Sequence, residues 1–324
     1  MTTLVTGASG FVGRYVVGEL LSAGADVVAL DHAPASGLPP SPRLTAVQGD
    51  VRDLRQLTRI AHEHGVDRII HLASLLAPAS QQDPYHALEV NVIGTQNLME
   101  VALVQGVTHL TWASSMAVFG HQTQADGGAE EFTEASRHCP DNVYGVTKSY
   151  AEGISLAYRE RYGLTTVGLR IGLVYGQGKE RGEGLFTEHL FDRPARDRDS
   201  VVPFGDDVFS WQYVRDVAKA FILVNGRDET DQGIYNLPGT VASMQDAVGL
   251  VRELRPRVSI RSEPGRLGFP HRFSVSAFEK LAGDEYRLTP LRDAFAETLD
   301  RLRQDSGAVD TTSTGGERGN ARTE

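Results

Sequence analysis

The apolar positions fall into short blocks that alternate between two periods. Thr3–Thr6, Asp26–Leu30, Leu44–Gln48, Arg68–Leu72, His109–Ala113 and Thr166–Arg170 are brief aliphatic or β-branched runs. Such runs read as strands, the second of them closed by Asp31. Between them, Phe11–Ala23, Asp53–His64, Tyr85–Gln105 and Asn142–Tyr162 place apolar residues at helical spacing, as Val12, Tyr15, Val16 and Leu20 do in the first. Strands alternating with helices at this interval predict βαβ units and a parallel sheet. Val27-Val28-Ala29-Leu30 and Arg68–Leu72 are mostly apolar without alternation, which suits strands covered by helices on both faces.

After Gly172 the rhythm changes. Gln177–Ser200 is rich in Gly, Arg and Asp and predicts a long loop with a short helix, a kind of segment that is often functional. Phe209–Asn225 predicts a helix and Gly233–Leu237 a strand. Ser243–Leu254 predicts a helix, Val258–Arg261 a small strand and Pro290–Arg303 a last helix. Gln304–Glu324 has almost no apolar residues and is expected to be a disordered tail.

Composition narrows this picture. The chain has 324 residues, 40% of them apolar, enough for one large or two modest cores. Its net charge of -10 argues against a nucleic-acid partner, because phosphate binding needs clustered Lys and Arg. The single cysteine, Cys139, excludes an intramolecular disulfide and a thiolate metal cluster. It reads as a small residue near a loop, since no base for a catalytic thiol stands near it in sequence. No run approaches the ~20 apolar residues of a membrane span. Met1–Gly10 lacks a basic segment and leads straight into glycines, unlike a secretory signal. A cytoplasmic location is expected.

Leu4-Val5-Thr6-Gly7-Ala8-Ser9-Gly10-Phe11-Val12-Gly13 is a strand, a glycine-rich turn and a helix start. The spacing is Gly-x-x-Gly-x-x-Gly. Glycines there permit a tight turn and close approach to a pyrophosphate, and the helix N-terminus supplies N–H groups and a positive dipole. Asp31 ends the second strand about 20 residues further on, where a carboxylate accepts the adenosine ribose hydroxyls and repels a 2′-phosphate. No Arg follows in His32-Ala33-Pro34, so NAD is favoured over NADP. Asp50-Val51, after the third strand, is placed for the adenine edge; alternatively Asp50 caps the helix that starts near Asp53.

Tyr144 and Lys148 stand at i and i+4, on one helix face. A free Tyr has a pKa near ~10, and a neighbouring ammonium stabilises its phenolate. Ser114-Ser115 end the fifth strand, where a hydroxyl can hold a substrate oxygen or simply shape a turn. Ser115 is not in a Gly-x-Ser-x-Gly elbow and is not read as a nucleophile. His71 reads as structural, and no spacing suggests a metal.

Together Thr6-Gly7-x-x-Gly10-x-x-Gly13, Asp50-Val51, His71-Leu72-Ala73, Asn91-Val92-x-Gly94-Thr95, Ser114-Ser115, Tyr144-x-x-x-Lys148 and Leu169-Arg170 resemble the extended short-chain dehydrogenase/reductase family, which includes NAD-dependent sugar epimerases and dehydratases. The resemblance runs from Thr3 to about Arg303. It implies an α/β, Rossmann-type doubly wound parallel sheet over 1–172 with later contributions from about 209–237. A smaller C-terminal α/β substrate domain would take 173–208 and 238–303. It implies Ser115, Tyr144 and Lys148 as the catalytic triad. For the cofactor it implies Gly7, Gly10, Phe11, Val12, Gly13, Asp31, Asp50, Val51, Leu72, Ala73, Ser74, Asn91, Ala113, Ser114 and Gly172 beside Tyr144 and Lys148. Ser74, Leu75, Met116, Leu173 and Trp211 are expected around the substrate with Ser115 and Tyr144, although Trp211 suits core packing equally. A homodimer through a four-helix bundle of Tyr85–Gln105 and Asn142–Tyr162 is also implied.

Departures from the family pattern bear on the substrate. Sugar dehydratases carry Asp-Glu where this chain has Met116-Ala117, which argues against dehydration. Nucleotide-sugar epimerases place an Asn at Leu173 and a diphosphate-binding Arg at Phe209; Arg181, Arg193 or Arg215 would have to substitute. The sequence therefore points to an NAD-dependent dehydrogenase acting on a secondary alcohol of a small sugar, sugar acid or polyol. A sugar or nucleotide-sugar epimerase is the alternative. A non-catalytic NAD-binding regulator would be expected to lose Tyr144 and Lys148.

Overall fold

A computed structural model describes residues 1–121, 131–179 and 186–310. Arg181 and part of the expected Gln177–Ser200 loop lie outside the described residues, as does the tail beyond Asp310. The described strands are β1 (Thr2–Thr6), β2 (Asp26–Asp31), β3 (Leu44–Gln48), β4 (Val66–His71), β5 (His109–Ser115) and β6 (Thr166–Ile171). There follow β7 (Leu173–Tyr175), β8 (Ser200–Val202), β9 (Val208–Tyr213), β10 (Ile234–Asn236), β11 (Thr240–Ser243) and β12 (Ile260–Ser262). A seven-stranded sheet has the order β10-β6-β5-β4-β1-β2-β3, and its strands pair in parallel. This is the Rossmann-type sheet expected. Strand order reverses between β1 and β4, and such a switch point opens a crevice at the carboxyl ends of the strands.

The sheet is held by burial on both faces, as the unbroken apolar runs predict. Val27, Val28, Ala29 and Leu30 are all buried, and so are Ile69 and Ile70. Leu98, Met99, Ala102, Ala151 and Tyr158 cover one face together with Trp112. The Trp112 indole N–H donates to Ser155 Oγ at 3.2 Å, so its one polar atom is satisfied inside the core.

Three elements differ from the sequence reading. Phe209–Tyr213 is not helical: it forms β9, between β7 and β11, and the helix starts only at Val214. β9 is buried along nearly its whole length, and a strand buried on both faces has no alternation to separate it from a helix. The helix expected over Tyr85–Gln105 widens to a π-helical turn at Leu88–Ile93, and π-bulges of this kind concentrate at functional sites. The last helix runs to Asp310, past the expected end at Arg303, so the start of the expected tail is helical.

The described chain groups into two compact units. One comprises Met1–Glu183, Val208–Ala242 and Leu267–Thr289; the other comprises Gly184–Asp207, Ser243–Arg266 and Pro290–Glu324. The expected substrate domain and the second unit divide the chain differently at several places. Leu173–Tyr175 belongs to the first unit because β7 pairs with β9. Residues 238–242 stay with it through β11. Leu267–Thr289 does so because Phe273 bridges Phe132 and Thr289 donates twice to Asp216. In the second unit β12 pairs with β8, and Phe191 meets Phe295 edge-on at 4.8 Å.

A buried ion pair ties the Val143–Tyr162 helix to the sheet. Arg170 Nε and Nη2, from β6, donate to the two carboxylate oxygens of Glu152 at 2.9 and 2.7 Å. The Ser114 hydroxyl of β5 donates to the same carboxylate, and Arg170 Nη1 donates to Asn236 Oδ1 of β10 at 3.3 Å. Burial works to raise the Glu152 carboxyl. The bonds from Arg170, His138 and Ser114 and the Arg170 charge outweigh it and hold it at about 2. Removing one partner of such a pair leaves an uncompensated buried charge. Glu152→Ala is expected to cost roughly 3–5 kcal/mol of unfolding free energy, read by urea denaturation; a loss under about 1 kcal/mol, the range of an exposed pair, would contradict this account.

Candidate active site

The glycine-rich loop joins β1 to the Phe11–Ser22 helix. Gly7 has φ +67°, and a Cβ on it would lie 2.7 Å from the Ala73 nitrogen and 2.9 Å from the Leu72 carbonyl carbon. A Cβ on Gly13 would lie 2.1 Å from the Gly7 oxygen. Glycine is thus required for the loop to lie against the end of β4 and for the helix to start directly beneath it. Gly10 is the N-cap and brings no side chain to the first-turn N–H groups of Phe11, Val12 and Gly13, so that turn presents donors and the positive end of the helix dipole. The Ser9 hydroxyl oxygen is buried without a hydrogen-bond partner.

Asp31 ends β2 beside this loop, with Oδ2 accepting from the Ser9 N–H at 3.0 Å and Oδ1 from the Ala33 N–H at 3.3 Å. Asp50 pairs bidentately with Arg52, whose guanidinium and hydrogen bonds hold the Asp50 carboxyl below its ordinary range. Asp50 does not cap the following helix; Asp53 does, accepting from the Gln56 N–H at 3.0 Å. Val51 is buried, and Asn97 Nδ2 donates to its carbonyl at 2.9 Å. The loop, the orphaned Ser9 hydroxyl and the fixed Asp31 carboxylate fit a dinucleotide with free ribose hydroxyls.

Across the switch point stand β5 and the Val143–Tyr162 helix. Asn142 caps the helix, its Oδ1 accepting from the Gly145 N–H at 2.9 Å. This puts Tyr144 in the first turn and Lys148 one turn on. Both are buried. Lys148 Nζ donates to the Ala113 carbonyl at 2.8 Å and lies 5.5 Å from the centre of the Tyr144 ring. Burial pushes the Lys148 ammonium down to about 7, against the opposing charge of Glu152. Ser115, two residues beyond Ala113, accepts from the Ala117 N–H at 3.1 Å and caps the Met116–Phe119 turn.

Residues 3–237 match the NAD dependent epimerase/dehydratase family. The chain belongs to this family. A UDP-glucose 4-epimerase of Halalkalibacterium halodurans is 29% identical over 290 residues, 83% of this chain and 85% of that one. An L-arabinose 1-dehydrogenase (NAD(P)(+)) of Haloferax volcanii is 35% identical over 176 residues, 52% of this chain and 65% of that one. The structure of a Thermus thermophilus UDP-glucose 4-epimerase complexed with NAD superposes with a TM-score of 0.78 at 28% identity, covering 94% of this chain and 99% of that one. The chain is an NAD-dependent enzyme of the extended short-chain dehydrogenase/reductase type.

Within this family member some expected site residues are placed differently. Asn91 was expected at the cofactor, but its amide is fully engaged. Oδ1 accepts from Ser74 Oγ and the Leu75 N–H, while Nδ2 donates to the Leu75 carbonyl and Thr147 Oγ1. Asn91 fastens the Ser74–Leu75 segment to the Val143–Tyr162 helix and has no donor or acceptor left over. Ser114, also expected at the cofactor, faces the Glu152–Arg170 pair, because side chains alternate along β5 and only Ser115 points to the other side. Trp211, expected near substrate, is a core residue. It is 1% exposed, its indole N–H donates to the Ala242 carbonyl at 3.0 Å, and it meets Tyr175 and Phe209 edge-on. Leu173, its partner in the β7–β9 register, is buried, as is Met116, while Leu75 is half-buried. Gly172 donates its N–H to Gln212 Oε1 at 2.7 Å.

His71 is structural, as expected. Thr95 Oγ1 donates to the Asn91 carbonyl, so His71 Nε2, 3.0 Å from Thr95 Oγ1, carries the ring proton, and Nδ1 accepts from Thr6 Oγ1 at 2.7 Å. Burial, with the Lys148 charge, pushes this imidazole down to about 3, and the neutral ring links Thr6 of β1 to Thr95 in the first turn of the Gly94–Gln105 helix. Glu152 escaped the sequence reading, although it stands one further turn from Lys148 on the Tyr144 face, a spacing that was legible.

The lowered Lys148 value has a thermodynamic consequence. Between about 7 and its ordinary 10.5 the unfolded chain binds the proton and the folded chain does not. Stability therefore rises with pH through that window. Unfolding free energies at pH 7.5 and 9.5 should show the wild type gaining on Lys148→Met as pH rises; parallel curves for the two proteins would refute the assignment.

Proposed function

We propose that this enzyme is a net dehydrogenase acting on a secondary alcohol of a small carbohydrate-like substrate that carries no nucleotide. The supporting observation is Phe209. Where the nucleotide-sugar pattern has a diphosphate-binding Arg, this chain has a phenyl ring that is 1% exposed, packed against Trp211 at 5.4 Å and Phe269 at 6.5 Å. Leu173, in the Asn position of that pattern, is buried too. Tyr144 takes the proton of the reacting hydroxyl, Ser115 holds the oxygen, and the Lys148 ammonium stabilises the Tyr144 phenolate. Gly7, Gly10, Phe11, Val12 and Gly13 would hold the cofactor pyrophosphate. Asp31 would hold the adenosine ribose, with Asp50, Val51, Leu72, Ala73, Ser74, Ala113 and Gly172 along the crevice. A dinucleotide held by these residues would supply the hydride acceptor.

The likeness to UDP-glucose 4-epimerases favours a second reading, in which hydrogen returns to the opposite face of the same carbon with no net NADH. Absorbance at the reduced-nicotinamide band, with sugars, polyols and sugar acids in the presence of NAD, separates the two. NADH growth with a free sugar or polyol is the expected result, and Tyr144→Phe should lower the rate at least ~100-fold. Conversion of UDP-glucose to an isomer without NADH would overturn the dehydrogenase reading. NAD binding without turnover of any kind would point to a regulator.

The enzyme is further proposed to be a cytoplasmic homodimer. Among the described residues no helix is long and apolar enough to cross a membrane. Tyr85, Leu88 and Val104 are exposed on one helix of a packed pair, and Val146 and Tyr150 on the other. Tyr150 reaches Gln96 across the pair at 3.5 Å. A second copy of the same two helices is an isologous partner for this apolar strip. Light scattering should give a dimer for the wild type and a monomer for Val146→Glu/Tyr150→Glu; a wild-type monomer would dispose of the bundle.

A further inference from the structure

The Phe11–Ser22 helix carries one base, Arg14, and it stands where the helix dipole disfavours a positive charge. Arg14 is the fourth residue of the helix, beside the free N–H groups that form the positive end of the dipole. Its own N–H donates to the Gly10 carbonyl at 3.1 Å, which places it directly on the glycine-rich turn. The first turn holds no acidic residue. Glu19, the one acid of this helix, pairs with Arg215 at 3.1 Å. Asp31, beside the loop, accepts from the N–H groups of Ser9 and Ala33 and lies 2.9 Å from His32 Nδ1. Among the described residues no carboxylate pairs with Arg14.

Neutral backbone holds the guanidinium instead. Side chains on a helix lean back toward its N-terminus, and that of Arg14 runs between two segments that leave strand ends. One leaves β2 at Asp31 and contains Gly37; the other leaves β7 at Tyr175 and contains Gly178. Arg14 Nη2 donates to the Gly178 carbonyl at 2.9 Å, and the neighbouring Tyr15 hydroxyl donates to the Gln177 carbonyl at 3.1 Å. A Cβ on Gly178 would lie 2.6 Å from Arg14 Nη2, and a Cβ on Gly37 would lie 3.0 Å from Cδ and 3.2 Å from Nη1. Both glycines have left-handed backbone, φ +87° and +67°, so their lack of a side chain leaves the slot that Arg14 fills. Among the described residues Nε and Nη1 make no hydrogen bond. The cation is thus fixed in place beside a helix N-terminus with its charge uncompensated and donors to spare. On the same loop the Ser9 hydroxyl oxygen is buried without a partner. Positive charge gathered in this way is unfavourable until an anion joins it.

We propose that Arg14 is a cofactor-binding residue of this enzyme, its guanidinium donating to the diphosphate of the dinucleotide. The inference rests on the reading of Gly7–Gly13 as the dinucleotide loop. Backbone N–H groups and a helix dipole attract any anion, whereas a guanidinium adds a full charge and a fork of donors that matches phosphate oxygens. The diphosphate brings two negative charges to the helix end and to Arg14. Because the contact is to the diphosphate, oxidised and reduced cofactor gain from it equally, and a ligand without phosphate gains nothing.

The test is a binding titration followed by NADH fluorescence, with displacement by NAD, NADP, ADP-ribose and adenosine, on the wild type, Arg14→Met, Arg14→Lys and Asp31→Asn. Arg14→Met keeps an apolar stem and removes the charge. It should weaken NADH, NAD and ADP-ribose alike by about tenfold or more, the effect of a hydrogen bond to a charged group, and adenosine by less than about twofold. Arg14→Lys should recover part of the loss, since it restores the charge without the fork. The advantage of the wild type over Arg14→Met should shrink at high salt. An equal loss for adenosine and ADP-ribose would make Arg14 a prop for the Gly37 and Gly178 segments and overturn the proposal. No loss, or a loss confined to NADP, overturns it too. Asp31→Asn reads the dinucleotide loop separately: it should weaken adenosine as well as NAD. If it weakens neither, the loop reading falls and Arg14 with it; if it weakens both while Arg14→Met binds like the wild type, Arg14 alone is overturned.

Discussion

The Val143–Tyr162 helix is fastened to β5 by two buried charges on successive turns, and the geometry of the candidate site depends on that attachment. Lys148 reaches the Ala113 carbonyl, and Glu152 accepts from the Ser114 hydroxyl. Their partners are consecutive residues of one strand, so sliding the helix along the sheet would break both contacts together. Ser115 is the next residue of that strand and Tyr144 precedes Lys148 by one turn. The two groups proposed to handle the reacting hydroxyl are thus referenced to one fixed register. A loop-borne site would lack this definition.

Keeping two charges in the core is unfavourable unless each is compensated, and the two are compensated differently. Glu152 has Arg170, Ser114 and His138 around it and stays ionised far into acid. Lys148 has a backbone carbonyl and the field of Glu152, which do not offset its burial, so its ammonium is held near neutrality. The Glu152 charge is over-compensated and the Lys148 charge is left close to its titration point, where a change in its surroundings alters its protonation.

Much of the Rossmann-type half was legible because its signals are local. Gly7, Gly10 and Gly13 have to be glycines for reasons of backbone approach, Asp31 has to end a strand beside them, and Tyr144 and Lys148 share a helix face by spacing alone. What escaped depends on partners distant in sequence. Ser114 and Ser115 are indistinguishable as letters, and only the pleat of β5 sends one to Glu152 and the other to the site. Asn91 carries a family signature, yet its work is to pin Leu75 and Thr147, which no spacing reveals. Phe209–Tyr213 has the apolar density of a helix start, and its strand pairings with β7 and β11 decided otherwise. The grouping of Leu267–Thr289 with the first unit was not legible for a related reason, since its attachment runs through single contacts such as Phe273 with Phe132.

The apolar replacements at Leu173 and Phe209 are more than a missing clamp. An Arg that binds a diphosphate needs a polar surrounding to carry its charge when no ligand is present. Here the surrounding is Trp211, Tyr175 and Phe269, which forms a packed aromatic wall. Restoring Arg at position 209 alone would bury a guanidinium against the Trp211 and Phe269 rings, so a return to the nucleotide-sugar pattern would require changing the wall and not one residue.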